Sequence, residues 1–253
     1  MLKICFCTSY FGPKELCRLH QTFPVVESAD YFLFTNLSAA DIIYPHNYTV
    51  ITIDTKTFRP VMHLKHNVHV SRYFKFQLHV FFQNLREYDF IYYYDHYQVP
   101  FADKPWIEIA DKTIKESNTR DNRLAIAQHL HRCGADSIFF EMDMICQSNK
   151  DTVSNIEKAK LFFGKLNPGI NIEKWIEYKE NNLFGFSPKH YETVQFFNAF
   201  WENYTDPQYV TYRDQPLWNF MYLHTNKNCN IVRIENFTGG EYTDMHSVYQ
   251  NKN

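Results

Sequence analysis

The run Phe90-Ile91-Tyr92-Tyr93-Tyr94, closed by Asp95, restricts what this chain can fold into more than any other stretch. Five consecutive large apolar or aromatic residues without polar alternation predict a strand buried on both faces, which belongs in a parallel sheet covered by helices. The segment before it, opening Ser71-Arg72-Tyr73-Phe74-Lys75-Phe76, sets Phe74, Leu78, Phe81, Phe82 and Leu85 at helical spacing. Ligands of open α/β sheets bind outside the carboxyl ends of the strands. Asp95 ends this strand and is the first candidate site residue. Arg72 and Lys75, one turn apart on one helix face, are cations that can be brought over it.

The neighbouring segments repeat the pattern. Leu2–Cys7 reads as a first strand running into a turn at Thr8-Ser9-Tyr10-Phe11-Gly12-Pro13, with a helix from Lys14 to about Phe23. Tyr31–Thr35 and Tyr48–Ile53 read as strands ending at Asn36 and Asp54. This alternation predicts an α/β fold with a mainly parallel, Rossmann-like sheet flanked by helices. Beyond Asp95, Pro100 and Pro105 mark a loop or short edge strand, and Leu124–Leu130 leaves strand and helix open. Cys133–Cys146, Thr152–Phe163, Lys189–Tyr204 and Asp214–Leu223 read as helices; Asn182–Phe186 and Ile231–Ile234 read as strands. The polar tail at 241–253 reads as mobile. With neither repeat nor linker, residues 1–253 are expected to form one domain.

Composition narrows the class. A net charge of −2 and a pI near 6.6 imply no general attraction to nucleic acid or anionic membrane. The 18 Tyr and 23 Phe against 7 Gly argue for a packed core and against disorder. No apolar run is long enough to span a membrane. Cys5, Cys7, Cys17, Cys133, Cys146 and Cys229 show neither a C-x-x-C pair nor zinc spacing, and Cys5 and Cys7 share one strand face as expected of buried free thiols. A reducing cytoplasmic setting is expected, with the N-x-[ST] sequons at Asn36, Asn47, Asn203 and Asn236 as chance matches. Phosphate-loop, dinucleotide, serine-hydrolase and H-E-x-x-H signatures are all missing.

Among the chemistry-bearing residues, a carboxylate such as Asp95 is a hard oxygen ligand suited to Mn²⁺ or Mg²⁺ on a diphosphate. The second acid of an Asp-x-Asp pair is absent, since His96 and Tyr97 follow. His96 is the candidate substitute ligand, and His246 a late histidine able to fold back on the metal. The plain alternative for Asp95 is a turn cap. Arg72 and Lys75 suit a leaving diphosphate, or else form a solvated basic edge. Thr8, Ser9 and Tyr10 can meet a ribose or base at the first strand's end; Asn36 and Asp54 are weaker candidates by position. His129 and Arg132 form H-x-x-R with Glu141 beyond, a lone histidine being more often a satisfied structural one. Asp214 opens a helix and is explained by capping alone, or serves as acceptor-orienting group or base beside Gln215.

Taken in order, T-S-Y-F-G-P-K-E-L (8–16), F-L-F-T-N (32–36), S-R-Y-F-K-F (71–76), Y-D-F-I-Y-Y-Y-D (88–95), H-L-H-R (129–132) and R-D-Q-P-L (213–217) resemble a glycosyltransferase family. This is the family once catalogued as a domain of unknown function that includes plant mucilage-related glycosyltransferases, and the resemblance spans about residues 4–225. It implies a GT-A-like single domain, with a nucleotide-sugar half over about 1–100 and an acceptor half over about 101–240. It also implies a nucleotide-sugar donor, commonly a UDP-sugar, and Mn²⁺ or Mg²⁺. On that resemblance the R-x-x-K motif falls on Arg72 and Lys75, the strand-end acid on Asp95, H-x-x-R on His129 and Arg132, and the late D-Q on Asp214 and Gln215. Donor binding is then expected at Thr8, Ser9, Tyr10, Asn36, Arg72, Lys75, Asp95, Arg132 and Gln215, catalysis at Asp214 and His129, and metal binding at Asp95, His96 and His246. Two departures are Tyr97 in place of an acid and a longer stretch between Arg132 and Glu141. The plant members are usually anchored in the Golgi; this chain looks more like the compact soluble transferases of bacteria and large DNA viruses.

The expectation is a glycosyltransferase moving a sugar from a nucleotide-diphosphate donor to a hydroxyl of a glycan or glycoprotein acceptor, with no nucleic acid partner and no membrane span. Inversion follows if Asp214 lies in line behind the anomeric carbon, retention if no carboxylate does. The alternatives are a non-catalytic glycan-binding protein on the same fold and a nucleotide-sugar hydrolase.

Overall fold

The computed structural model describes residues 2–17, 26–42, 48–58, 67–81, 87–118, 125–173, 176–224, 230–233 and 238–239, with the backbone alone at 81, 99, 117–118, 125, 127–136, 176–179, 230–233 and 238–239. Its first half contains β1 (Ile4–Tyr10), β2 (Ala29–Thr35), β3 (Thr49–Thr52), α1 (Asn67–Phe76), α2 (Leu78–Phe81) and β4 (Phe90–Tyr94). Then come β5 (Val99–Pro100), α3 (Trp106–Asn118), β6 (Ala125–Asp136), α4 (Ile138–Gln147), α5 (Val153–Leu166), β7 (Ile176–Phe186), α6 (Tyr191–Tyr204), α7 (Asp214–His224), β8 (Asn230–Arg233) and β9 (Thr238–Gly239).

Among the described residues, seven strands make one sheet in the order β3-β2-β1-β4-β7-β6-β8, while β5 and β9 pair separately. Neighbours are parallel except around β7, which runs against both β4 and β6. The sheet is therefore mainly parallel with one reversed strand. It continues unbroken from the first half of the chain into the second.

The aromatic runs explain why both faces are covered. Along β1 and β4, Ile4, Phe6, Phe90, Tyr92 and Tyr94 point to one side, where α3 brings Trp106 edge-on to Phe6 at 5.1 Å and to Tyr92 at 4.9 Å. Cys5, Cys7, Ile91 and Tyr93 point to the other, under α1 and α4 to α7. There Phe74 of α1 stacks on Phe34 at 4.6 Å, and Trp218 of α7 lies 5.4 Å from Phe184 of β7. Cys5 and Cys7 are buried free thiols, as their shared strand face predicts. Among the described residues, no helix is long and apolar enough to cross a membrane.

Several elements differ from the sequence reading. Thr8, Ser9 and Tyr10 are not a turn: β1 continues through them because β2 pairs with it as far as Tyr10↔Thr35. Of the helix expected from Lys14, one 3₁₀ turn (Lys14–Leu16) is described, and 18–25 lie outside the described residues. Pro100 ends the short strand β5 and a loop runs to Pro105, as read from the sequence; helix α3, which follows, was not anticipated, and the Pro105 carbonyl accepts its first-turn bond from Ile109 N–H at 3.0 Å. The expected helix from Cys133 begins later, at Ile138, because β6 stays paired with β7 to Asp136↔Ile176 and Ser137 then caps α4 through Phe140 N–H at 3.0 Å. Leu124–Leu130 resolves as strand from Ala125 onward. The tail at 241–253 lies outside the described residues.

Candidate functional site

The strand order contains a switch point. From β1 the chain steps outward to β2 and β3, then returns to β4 on the opposite side of β1. Ligands of open α/β sheets bind in the crevice beyond the carboxyl ends at such a point. Here those ends carry Tyr10 as the last residue of β1 and Asp95-His96 after β4, and the rings of Tyr10 and His96 meet across the gap with centroids 4.9 Å apart.

Backbone geometry fixes Asp95 first. Its N–H donates to the Asn182 carbonyl at 2.8 Å, carrying the β4–β7 pairing one residue past Tyr94, and its carbonyl accepts from Gln98 N–H at 2.8 Å. Its carboxylate, 15 % exposed, accepts from the Tyr97 hydroxyl at 3.1 Å and lies 3.4 Å from Lys75 Nζ. Turn capping and carboxylate presentation are thus both performed by this residue.

Beneath Asp95 lies a buried charge network. Lys75, 1 % exposed, lies 3.1 Å from Asp214 Oδ2 and donates to Asn181 Oδ1 at 3.1 Å. Asn181 Nδ2 donates to Asp214 Oδ2 at 3.0 Å, and Arg72 Nε lies 3.0 Å from Asp214 Oδ1 as an ion contact without aligned hydrogen-bond geometry. Burial opposes the charge on Arg72, but Asp214 and then Asp95 outweigh it and raise the guanidinium's pKa. For Asp214 burial pushes upward, while Arg72, Lys75 and Arg213 together hold its carboxyl well below the usual carboxylate range. The ring of Tyr93 floors the network with Lys75 Nζ 5.4 Å from its centroid, and its hydroxyl meets Ser9 Oγ at 3.1 Å.

These contacts correct the expected roles. Lys75 does not face a diphosphate: α1 points it inward between two carboxylates, and Arg72 keeps 17 % exposure beside it. Asp214 is a poor general base, because a carboxylate held ionised between two cations has little affinity for a proton. Thr8 and Ser9 are buried; Thr8 Oγ1 has no hydrogen-bond partner among the described residues, and Ser9 Oγ bonds the Ser71 carbonyl at 3.2 Å, tying β1 to α1. Tyr10 packs on His96 and donates to the Pro13 carbonyl at 2.5 Å, so its ring and hydroxyl are spent on the loop. Asn36 clamps that loop at both ends of one residue, accepting from Gly12 N–H at 2.9 Å and donating to Gly12 O at 3.2 Å. Asp54 caps its own turn through Lys56 N–H and Thr57 Oγ1. Gln215 sits half-buried in the first turn of α7 beside Asp214, where its carbonyl accepts from Asn219.

His129 and Arg132 fall on β6, whose backbone is described there without its side chains, and Glu141 lies in the first turn of α4. His246 lies outside the described residues. The sequence reading missed three residues of β7: Asn181, which bridges Lys75 and Asp214, and the buried pair Asn182 and Glu180, joined at 2.9 Å. Their signal was a polar Glu-Asn-Asn run set directly against the apolar Leu183-Phe184.

The metal expected at Asp95 does not fit what surrounds it. A divalent ion needs several hard oxygens with net negative charge. Here Asp95 and Asp214 are matched by Arg72 and Lys75, so the four formal charges cancel. The His96 ring packs between Tyr10 and Tyr97. Among the described residues, no three His, Cys, Asp or Glu side chains converge on one point. Set against models of known protein families and against curated proteins, the sequence matches none.

Proposed function

We propose that this chain is a glycosyltransferase that binds a nucleotide-diphosphate sugar at the switch point and transfers the sugar to a hydroxyl acceptor. The observation that carries this reading is Asp95: a partly exposed carboxylate at the carboxyl end of β4, fixed in place by Lys75, Tyr97 and the β7 backbone. A dedicated charge network under a strand-end acid suits a site where a polar ligand must be held against a fixed charge. The resemblance of the ordered motifs to a glycosyltransferase family, and the mainly parallel sheet, are what support reading the fold as GT-A-like. In the transfer, the bond from the anomeric carbon to the diphosphate breaks and negative charge grows on the leaving group. Arg72, charged and partly exposed beside Asp95, is the group suited to stabilise it.

A thermal-shift panel of UDP, GDP, CDP and their common sugars tests this. Ligand at about 100 times its Kd adds roughly 2.7 kcal/mol of stability. One nucleotide is expected to shift the melting point of the wild type, and Asp95→Ala to remove that shift while remaining folded. Turnover of the matching nucleotide sugar is expected to need an acceptor and to fall about 100-fold or more in Asp95→Ala, as when one preorganised electrostatic group is lost. No shift with any nucleotide at millimolar concentration refutes the donor site and favours a glycan-binding protein; acceptor-independent release of free sugar favours a hydrolase.

A further inference from the structure

Lys75 ends in a cage of side-chain oxygens. Three oxygens surround its ammonium: Asp214 Oδ2 and Asn181 Oδ1 at 3.1 Å, and Asp95 Oδ1 at 3.4 Å. Two carboxylates and an amide carbonyl are the hard-oxygen donors that a divalent cation selects. An ammonium has three N–H donors, and these three oxygens match them one for one. The group is sealed from solvent, with the rings of Tyr93 and Phe76 centred 5.4 and 5.5 Å from Nζ. Asn181 sets the cage: its amide oxygen receives Lys75 and its amide nitrogen binds Asp214, so the neutral side chain holds a cation and an anion in register.

We propose that the Lys75 ammonium is a built-in substitute for a divalent metal, and that nucleotide-diphosphate binding at Asp95 proceeds without one. This rests on the donor-site reading above. A metal at such a site bridges two anions, the protein's acid and the ligand's diphosphate. With Asp95 already compensated by Lys75, and Asp214 by Arg72 and Lys75, there is no net negative charge for the metal to neutralise. Lys75 acts through Asp95 and is a positioning residue. Unlike a bound ion, it is tethered to α1 and cannot be chelated away.

The test is nucleotide binding by calorimetry to the wild type in EDTA and in millimolar Mn²⁺, using the best nucleotide from the panel. The two Kd values are expected to agree within about twofold. Binding that requires Mn²⁺ overturns the proposal while leaving the donor site standing; no binding in either condition refutes the donor site itself, and the proposal with it. A second arm uses Mn²⁺ alone as the probe. Lys75→Met leaves two carboxylates and an amide facing an empty cage, so Mn²⁺ is expected to raise its melting temperature and not that of the wild type. Stabilisation of the wild type by Mn²⁺ that Asp95→Asn abolishes overturns the proposal. Should Lys75→Met fail to fold, Lys75→Met combined with Asp214→Asn removes one charge of each sign. In that variant the nucleotide Kd in EDTA is expected to weaken about tenfold, ~1.4 kcal/mol; an unchanged Kd shows that the ammonium is not what readies Asp95.

Discussion

At the scale of single residues, Asp214 carries the clearest consequence. It is 4 % exposed and faces Arg72 and Lys75 together. Asp214→Asn strands two buried cations with one remaining acid, and breaking a buried pair of this kind costs about 3–5 kcal/mol. A urea melt is the check; a loss below about 1 kcal/mol would mean that the cations find water instead. The pH dependence has a definite sign. The folded pKa of Asp214 is depressed, so its contribution is complete above the unfolded carboxylate value of about 3.9 and fades as pH falls below it. Wild type is expected to lose stability steeply below pH ~4, and Asp214→Asn to lose less across that window. Asp95, Arg72, Lys75 and Asp214 were each singled out in the sequence as candidates, because charges beside a buried strand are conspicuous, and the structure brings the four together. Which of them meets solvent was not legible. Helical spacing puts Arg72 and Lys75 on one face, yet it says nothing of whether a distant acid waits there. Asn181, a neutral residue lying 106 positions after Lys75, carries no charge pattern to betray it.

At the scale of elements, β4 and β7 join the amino-terminal strands of the sheet to the later ones, and Gly185 is what lets them pair closely. It stands opposite Tyr92, and a Cβ placed there would lie 2.4 Å from Phe90 Cε1 and 2.6 Å from Tyr92 Cδ1. Both rings are fully buried against Trp106, so neither has room to retreat. Gly185→Ala is therefore expected to destabilise by about 1–3 kcal/mol through overpacking, read as a lower urea midpoint with an unchanged slope. The β2, β3, β4, α5, α6 and α7 segments were readable from period and caps. The C-terminal end of β1 was not, because Thr8-Ser9-Tyr10-Phe11-Gly12-Pro13 has the composition of a turn while parallel pairing with β2 holds its first three residues in the sheet. Helix α3 was not read from the sequence, although the short strand and loop that Pro100 and Pro105 mark do precede it: Pro100 ends β5 and Pro105 lies immediately before Trp106. Likewise β6 outlasts its apolar residues because β7 is long enough to keep pairing with it.

At the scale of the molecule, one sheet runs from β3 to β8 with a continuous layer of buried aromatics under α1 and α4 to α7. The nucleotide-sugar and acceptor halves expected from sequence share this sheet, so they are expected to unfold together. Equilibrium unfolding in urea followed by far-ultraviolet circular dichroism and by tryptophan fluorescence should give coincident midpoints, since Trp106 and Trp218 report on opposite faces. Separated midpoints would show two independent units.

The charge network also imposes a timetable on synthesis. Lys75 and Asp95 leave the ribosome close together, but Asn181 follows Lys75 by 106 residues and Asp214 follows Asn181 by 33. Until those partners arrive, the ammonium is short of two of its three oxygens and is expected to keep water in their place. Contacts of such long separation form late and slowly. The nascent amino-terminal half consequently waits, with its sheet edge at β4 open, for β7 and α7 to close it. Any chain released before Asp214 emerges carries a hydrated lysine where the finished protein has a sealed one.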